Sequence, residues 1–531
     1  MFAAQFIPYH KTNVFSKIVV DYLAGKEQLQ SFYQYPTTLN GIQQAILQKQ
    51  QQRIDRTLLV HVLRDQYRST DQGGAVIQNL EALLSPNTFV ICTAHQPNLC
   101  TGPLYFVYKI LHAIKLSSYL NQQLSGYRFV PVYYMGSEDA DSAELNHFTV
   151  EGKRYEWQTD QRGAVGRMKI DKKLIALLDE LELQLGITPN GKEWVQLLRE
   201  HYHLNVTIQE ATFGVVHALF KQYGLIVLIA DDARLKKQML SIFEEDLFLQ
   251  NPSLIVSDTC KKLDEQYKVQ ANPRDINLFY LKDNIRERIE RKGDDFIVCN
   301  TSIQFSEAAL RSEIQKHPER FSPNVILRGL YQETILPNIA FVGGGGELAY
   351  WLQLKDLFQH YAVPYPVLIL RNSFLVVEKK WQEKINKLEL TVSDFFETED
   401  ALMNKIVQRF ATHSISLNGK LEKAEELYEQ IKQQAGAVDP TLLQHVTALQ
   451  TQSINNLKVL EKKMLRAEKR KFTDQQRQIQ TIRNYLFPKY GLQERVENIG
   501  TFYTKWGRAF IDELYQYSLA LGQRFVILTQ Q

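Results

Sequence analysis

Four apolar runs, rich in β-branched and aromatic residues, each stop at a short loop of glycine, amide, imidazole or carboxylate side chains. Thr88–Cys92 leads into Thr93-Ala-His-Gln-Pro-Asn-Leu-Cys-Thr-Gly-Pro103, and Phe129–Met135 leads into Gly136-Ser-Glu-Asp-Ala-Asp141. Leu225–Ile229 leads into Ala230-Asp-Asp232, and Ile339–Val342 leads into Gly343-Gly-Gly-Gly-Glu347. Helical spacings follow these loops. A repeated strand, loop and helix demands crossover connections, and so predicts an α/β fold with a mainly parallel sheet. Ligands of such sheets sit outside the carboxyl ends of the strands. Polar loops placed there converge on one pocket, and the leading expectation is a small-molecule enzyme.

A chain of 531 residues is too long for one ordinary domain, so two or three are expected. The formal net charge of +3 argues against a large nucleic-acid footprint. The start has no basic stretch followed by an apolar one, and no run approaches the ~18 apolar residues of a membrane span. Cys92, Cys100, Cys260 and Cys299 form no C-x-x-C pair. Neither a disulfide framework nor a zinc knuckle is expected, and a reducing cytoplasm fits best.

Five regions are expected. Residues 1–150 hold N-terminal helices and the first part of the core, with a helix opening at Gly102-Pro103. Residues 151–212 form a helical insertion. Residues 213–377 carry the second part of the core, with a smaller insertion near 250–320. Residues 378–500 form an antiparallel coiled coil, because Leu442, Val446, Leu449, Leu457, Leu460 and Met464 recur at spacings of three, four or sums of these. Its basic stretch Arg466–Lys471 is a solvated flank or a nucleic-acid stripe, and the first is simpler. Residues 501–531 pack back on the body.

Each polar loop has a functional and a plain reading. His95, Gln96 and Asn98 precede a helix whose N-terminus near Gly102 attracts anions, or they form a capped turn. No P-loop spacing is present. Glu138, Asp139 and Asp141 crowd within four residues and repel one another unless a cation sits among them. That cation is an ammonium, a lysine or Mg²⁺; otherwise the loop is a surface feature. Asn146 and His147 are second members of the same candidate site. Asp231 follows a buried strand and takes ribose or an amine, or it caps a helix, with Asp232 the better cap. Gly343, Gly344, Gly345 and Gly346 cost backbone entropy that an ordinary turn need not incur, which points to close ligand approach, against a flexible structural turn. Glu347 opens the helix that carries Tyr350 and Lys355. No nucleophile elbow and no H-E-x-x-H is present, and Cys100 has no basic neighbour in the sequence to activate it.

Taken together and in order, several segments carry a resemblance along almost the whole length. They are His95–Tyr105 with Tyr108-Lys109, Gly136–Asp141 with Asn146-His147, and Tyr223–Asp232. Leu327-Arg328, Leu336-Pro337, Gly343–Lys355 and Leu492–Arg495 complete the set. The chain resembles the cysteine-adding ligases of bacillithiol biosynthesis. It departs from them at His95-Gln96, where many relatives carry two glutamines.

The resemblance implies a Rossmann-like core related to class I aminoacyl-tRNA synthetases, with helical insertions and a C-terminal coiled coil that pairs two subunits. It implies a reaction joining the cysteine carboxyl group to the amine of glucosaminyl-malate. A carboxylate does not acylate an amine unactivated, so ATP is the expected co-substrate, with Mg²⁺ accompanying it. His95, Gln96, Asn98 and the helix near Gly102 would hold phosphates, and Asp139, Asp141 or Glu347 would orient the ammonium or take a proton. Asp231 would hold ribose, and Lys109 and Lys355 would balance developing charge. Competing expectations are a non-catalytic nucleotide-binding coiled-coil dimer and a synthetase-like RNA-linked protein. The small net charge weighs against the second.

Overall fold

The structure is a computed structural model that describes residues 2–71, 73–411 and 416–531. The chain forms two compact units, Met1–Val376 with Gly491–Leu528, and Val377–Tyr490 with Thr529–Gln531. The first unit is built on five strands: β1 (Thr88–His95), β2 (Arg128–Met135), β3 (Ile226–Ile229), β4 (Asn338–Gly343) and β5 (Val367–Leu370). Their order is β5-β4-β1-β2-β3 and every pairing is parallel. The chain starts in the middle, walks outward to β3, and then returns to the other side of β1. That reversal is the hallmark of a Rossmann-like sheet, and it opens a crevice between the carboxyl ends of β1 and β4.

Local chemistry explains the elements. β1 and β2 are apolar on both faces, as a doubly covered parallel sheet requires. Phe89, Ile91, Phe129, Ile339, Val342, Val367 and Ile369 pack under Ile42, Ala45 and Ile46 of helix Leu39–Lys49. Ala113, Leu116 and Leu120 of helix α1 (Tyr105–Gln123) join the same core. Burying each large apolar side chain contributes about 1.5–3 kcal/mol. β1 and β4 pair through a bulge between Asn338 and Ala340, where the buried Asn338 amide oxygen accepts from the Cys92 N–H at 3.0 Å. Helices α2 (Val325–Ile335) and α3 (Gly345–Trp351) flank β4.

Several expectations are corrected. The helix after β1 begins at Tyr105, not at Gly102. Gly102 has a φ of +59°, and a Cβ there would lie 2.6 Å from Asn98 Cβ, so it shapes an irregular turn instead. The N-terminal region is not purely helical: Phe2–Ile7 is a strand in a three-stranded sheet with Phe525–Gln530 and Phe374–Val377. The region 250–320 contains four strands of a five-stranded antiparallel sheet whose fifth is Phe321–Pro323. Residues 491–500 belong to the first unit, because Gln493, Glu494 and Asn498 are buried in hydrogen bonds there.

In the second unit, helices Asn418–Val438 and Leu442–Lys469 pack on each other. Tyr428 Oη meets Ser453 Oγ at 2.6 Å, and Glu461 accepts from the Leu417 N–H at 2.8 Å. Residue numbers rise along one helix as they fall along the other, so the pair is antiparallel. The second helix stops at Lys469, and Thr473–Leu486 continues separately after a tight turn. Among the described residues no helix is long and apolar enough to cross a membrane.

Candidate active site

The β1/β4 crevice holds a cavity of about 380 Å³, within the range of small-ligand sites. Three strand ends supply its walls: His95 and Gln96 after β1, Gly344–Glu347 after β4, and Arg371 after β5. One face of α1 adds Tyr105 and Lys109, a turn apart, and α2 and α3 add Arg328 and Tyr350. Glu144, Gln270 and Arg495 complete the rim.

Charge is organised around a pair. Lys109, with its side chain 2% exposed, holds Glu347 Oε2 at 2.6 Å and also donates to the Ala94 carbonyl. Burial pushes the Lys109 pKa down, Glu347 works to restore it, and the Arg371 and Arg328 cations depress it further. Glu347 Oε2 accepts the Gly344 N–H at 2.8 Å, closing the first turn of α3. Its other oxygen, Oε1, accepts no hydrogen bond among the described residues. Arg371 and Arg328 face the same space, and Arg495 stands exposed at the rim.

His95 lies against the rings of Tyr105 and Phe106, at centroid distances of 5.3 and 5.5 Å. Its carbonyl is fixed by donors from Gly136 N–H and Tyr133 Oη at 2.9 and 3.0 Å. Its Nε2 is buried with no hydrogen-bond partner among the described residues. Burial, then the Lys109, Arg328 and Arg371 cations, drive its pKa well below the ordinary value, so the imidazole is neutral at pH 7. It offers a hydrogen bond and no charge.

The acidic loop after β2 divides three ways. Asp139 Oδ2 accepts from Gln96 Nε2 at 3.1 Å and lies 3.9 Å from Arg328. Burial works to raise its pKa, but Arg286, Arg328, Gln96 and the Asp141 N–H hold it below the usual value, so it is ionised. Glu138 is paired instead with Lys236, whose side chain is fully buried. Lys236 also reaches Asp231 at 3.2 Å, and Arg167 grips Asp231 through two bonds of 2.6 and 2.8 Å. Asp141 is exposed and caps the turn Ser142–Leu145.

Two matches cover the chain. Residues 2–372 match the N-terminal Rossmann-like domain of BshC of bacillithiol biosynthesis, and residues 374–530 match its C-terminal coiled-coil domain. The chain belongs to the BshC family. A relative from Flavobacterium johnsoniae is 38% identical over 98% of this chain and 99% of its own length. One from Cytophaga hutchinsonii is 40% identical over 97% of each. A third, from Christiangramia forsetii, is 36% identical over 98% of each. All three bear the provisional name cysteine ligase BshC.

In this BshC-family chain the crevice gathers His95, Gln96, Lys109, Gly344, Gly345, Gly346, Glu347 and Tyr350, and Asp139 borders it through Gln96 and Arg328. Other residues singled out in the sequence lie elsewhere. Asn98 and Gly102 sit behind the wall, where the Asn498 amide donates to the Cys100 and Gly102 carbonyls at 2.8 and 2.6 Å. Asn146 and His147 begin the hairpin His147–Val150 with Lys153–Glu156. Gly343 ends β4, accepting the Arg371 N–H. Lys355 donates to the Ser31 carbonyl at 2.7 Å on the exposed surface, and Asp231 is consumed by Arg167 and Lys236.

Arg371, Arg328, Arg495, Glu144 and Gln270 were not singled out as site residues. Arg371 carried a usable signal, because Arg371-Asn-Ser follows the apolar run Val367–Leu370 as a fifth strand end. Arg495 and Gln270 lie on segments with no strand-end signature, and Glu144 lies between the loop that ends β2 and Asn146.

Proposed function

We propose that this protein is a ligase that joins cysteine to the amine of glucosaminyl-malate to form bacillithiol, activating the cysteine carboxylate with ATP. The observation that carries the reading is the crevice at the strand-order reversal of a BshC-family domain, lined by Lys109, Arg328, Arg371 and Arg495 against Glu144 and Glu347. Anionic groups suit such a lining, and Glu347 Oε1 is left free for one ammonium.

In this reading a cysteine carboxylate oxygen attacks the α-phosphorus of ATP and pyrophosphate leaves, giving a mixed anhydride. The glucosamine nitrogen then attacks the carbonyl, the C–O bond to AMP breaks, and one amine proton passes to a base. Glu347 orients the cysteine ammonium while Lys109 holds that carboxylate in place. Arg328 and Arg371 offset charge that builds on phosphate oxygens. Burial and the Asp141 and Asp139 charges raise the pKa of Glu144, which makes it the better proton acceptor on the rim. Neutral His95 and Gln96 supply hydrogen bonds. Mg²⁺ would enter on the nucleotide's phosphates.

Apolar side chains left open on the second unit support a homodimer through the coiled coil, among them Leu427 and Val459, 54% and 51% exposed. Four free cysteines fit a cytoplasmic protein. The test is turnover with ATP, cysteine and glucosaminyl-malate, following thiol product and nucleotide. Bacillithiol with AMP and pyrophosphate is expected. ADP with phosphate would replace the adenylate by an acyl phosphate, and no nucleotide consumption with no thiol product refutes the ligase reading.

A further inference from the structure

Arg371 enters the crevice from the end of β5, and what holds it there comes from the far end of the chain. The Glu494 side chain is fully buried. Its Oε1 accepts from Arg371 Nη2 at 2.7 Å and from Ser373 Oγ at 3.2 Å, and its Oε2 accepts the Phe374 N–H at 3.2 Å. Arg371 Nη1 is spent on the Asn372 carbonyl and Ser373 Oγ, at 2.9 and 3.1 Å. The Tyr105 ring lies 5.3 Å from the guanidinium carbon. Nε makes no hydrogen bond among the described residues, and lies 3.8 Å from where a Cβ on Gly344 would stand. An otherwise mobile arginine is thereby fixed with its Nε beside the glycine turn. The neighbouring Gln493 amide bonds both backbone groups of Val376, so the returning chain is clasped to the segment that follows β5.

We propose that Glu494 is a positioning residue for the site: it sets the Arg371 guanidinium toward the Gly344–Gly346 turn, where that guanidinium binds an anionic group of the ligand. Glu494 touches no ligand and acts only through Arg371. A planar guanidinium pinned at two nitrogens loses little freedom when the third meets an oxyanion. The crevice is complete only once the chain has returned from the coiled-coil unit. Only the turnover arm of the test rests on the ligase reading.

The test uses the full chain with Glu494→Gln, Glu494→Asp, Arg371→Met and the double variant Arg371→Met/Glu494→Gln, in two assays. The first is the rise in melting temperature given by millimolar inorganic pyrophosphate, since a ligand of the folded state raises it. The second is kcat/KM for bacillithiol formation. Glu494→Gln is expected to lose the pyrophosphate shift and roughly tenfold to a hundredfold in kcat/KM, chiefly through KM. Glu494→Asp keeps the charge and is expected to recover most of both. The double variant is expected to lose no more than Arg371→Met alone, because one residue works through the other.

Should Glu494→Gln fail to fold, Glu494→Asp and the double variant, which leaves no buried charge unpaired, still decide the matter. Losses that multiply in the double variant overturn the proposal. So does a Glu494→Gln enzyme with wild-type KM and pyrophosphate shift, and so does a wild-type protein that pyrophosphate does not stabilise. A wild-type protein that binds pyrophosphate without turning over refutes the ligase reading alone.

Discussion

Gly346→Ala separates folding from ligand approach more cleanly than any other change in the crevice. Gly346 is the second residue of α3, and none of the four glycines has a left-handed φ. A Cβ built on Gly346 meets no protein atom within 4 Å, so nothing in the fold forbids a side chain. Alanine there reduces the freedom of the unfolded chain and suits a helix, which stabilises by about 0.4–1 kcal/mol. The melting temperature is expected to hold or rise slightly. The added methyl stands about 1.5 Å from the main chain. Carbon contacts close at about 3.5–4.0 Å, so it excludes any ligand atom that would rest against the backbone. A displacement of about 1 Å at a reacting centre can cost a hundredfold, and kcat/KM is expected to fall ten- to a hundredfold. Thermal melts and steady-state turnover on the same preparation check both signs. Gly343→Ala is the control: its Cβ would lie 2.7 Å from Phe341 Cε1 and 3.1 Å from Leu348, so it is expected to destabilise by about 1–3 kcal/mol. A Gly346→Ala enzyme with wild-type KM and kcat would refute the claim that these glycines exist to admit a ligand.

Lys109→Met leaves Glu347 without its cation; because Glu347 is partly open to water, stability is expected to fall toward the lower end of a 3–5 kcal/mol range, read from denaturant midpoints, with turnover lost. Asp139 is depressed in the folded state, so its contribution is present above the unfolded pKa of 3.8 and disappears as pH falls through its folded pKa. Asp139→Asn is expected to remove that acid limb from a stability–pH profile measured by urea unfolding. Asp246 behaves oppositely: burial pushes its carboxyl from 3.8 up to about 7, while donors from the Asn277 N–H and side-chain amide at 2.6 and 3.0 Å only partly offset it. Above pH 4 the unfolded chain ionises while the folded carboxyl keeps its proton. Stability is therefore expected to decline between about pH 4 and pH 7, by at most about 4 kcal/mol, and then to level off. In Asp246→Asn the decline is expected to flatten, and an unchanged slope would acquit this residue.

The strands of the core were legible because their signal is local. Val90, Cys92, Val130 and Val227 are buried in runs whose apolar character on both faces is that of a doubly covered parallel sheet. The strand order was not legible. Nothing in Thr88–His95 says that Arg128–Met135 lies on one side and Asn338–Gly343 on the other, and the bulge that fits the latter is completed by one buried amide, Asn338. Phe2–Ile7 escaped notice because its partner is more than five hundred residues away, at Phe525–Gln530. The strands of the 250–320 region carry charged faces, Arg286, Glu287, Arg288 and Glu290 among them, which hid a half-exposed antiparallel sheet.

The acidic loop shows where local reasoning reaches its limit. Three carboxylates within four residues require cations, and that inference holds, but the chain itself provides them from distant segments. Lys236 takes Glu138, and Arg328 with Arg286 takes Asp139, while Asp141 turns outward to satisfy a backbone N–H. The cluster therefore gives no independent argument for a bound metal or a substrate ammonium. Glu347, unremarkable beside four glycines, lines the crevice with one oxygen unengaged, because Lys109 and the Gly344 N–H both bind the other one. What makes an acidic side chain available to a ligand is the count of acceptor sites left after the fold has drawn on them, and for Glu347 that count depends on Lys109, more than two hundred positions away, as well as on the neighbouring Gly344.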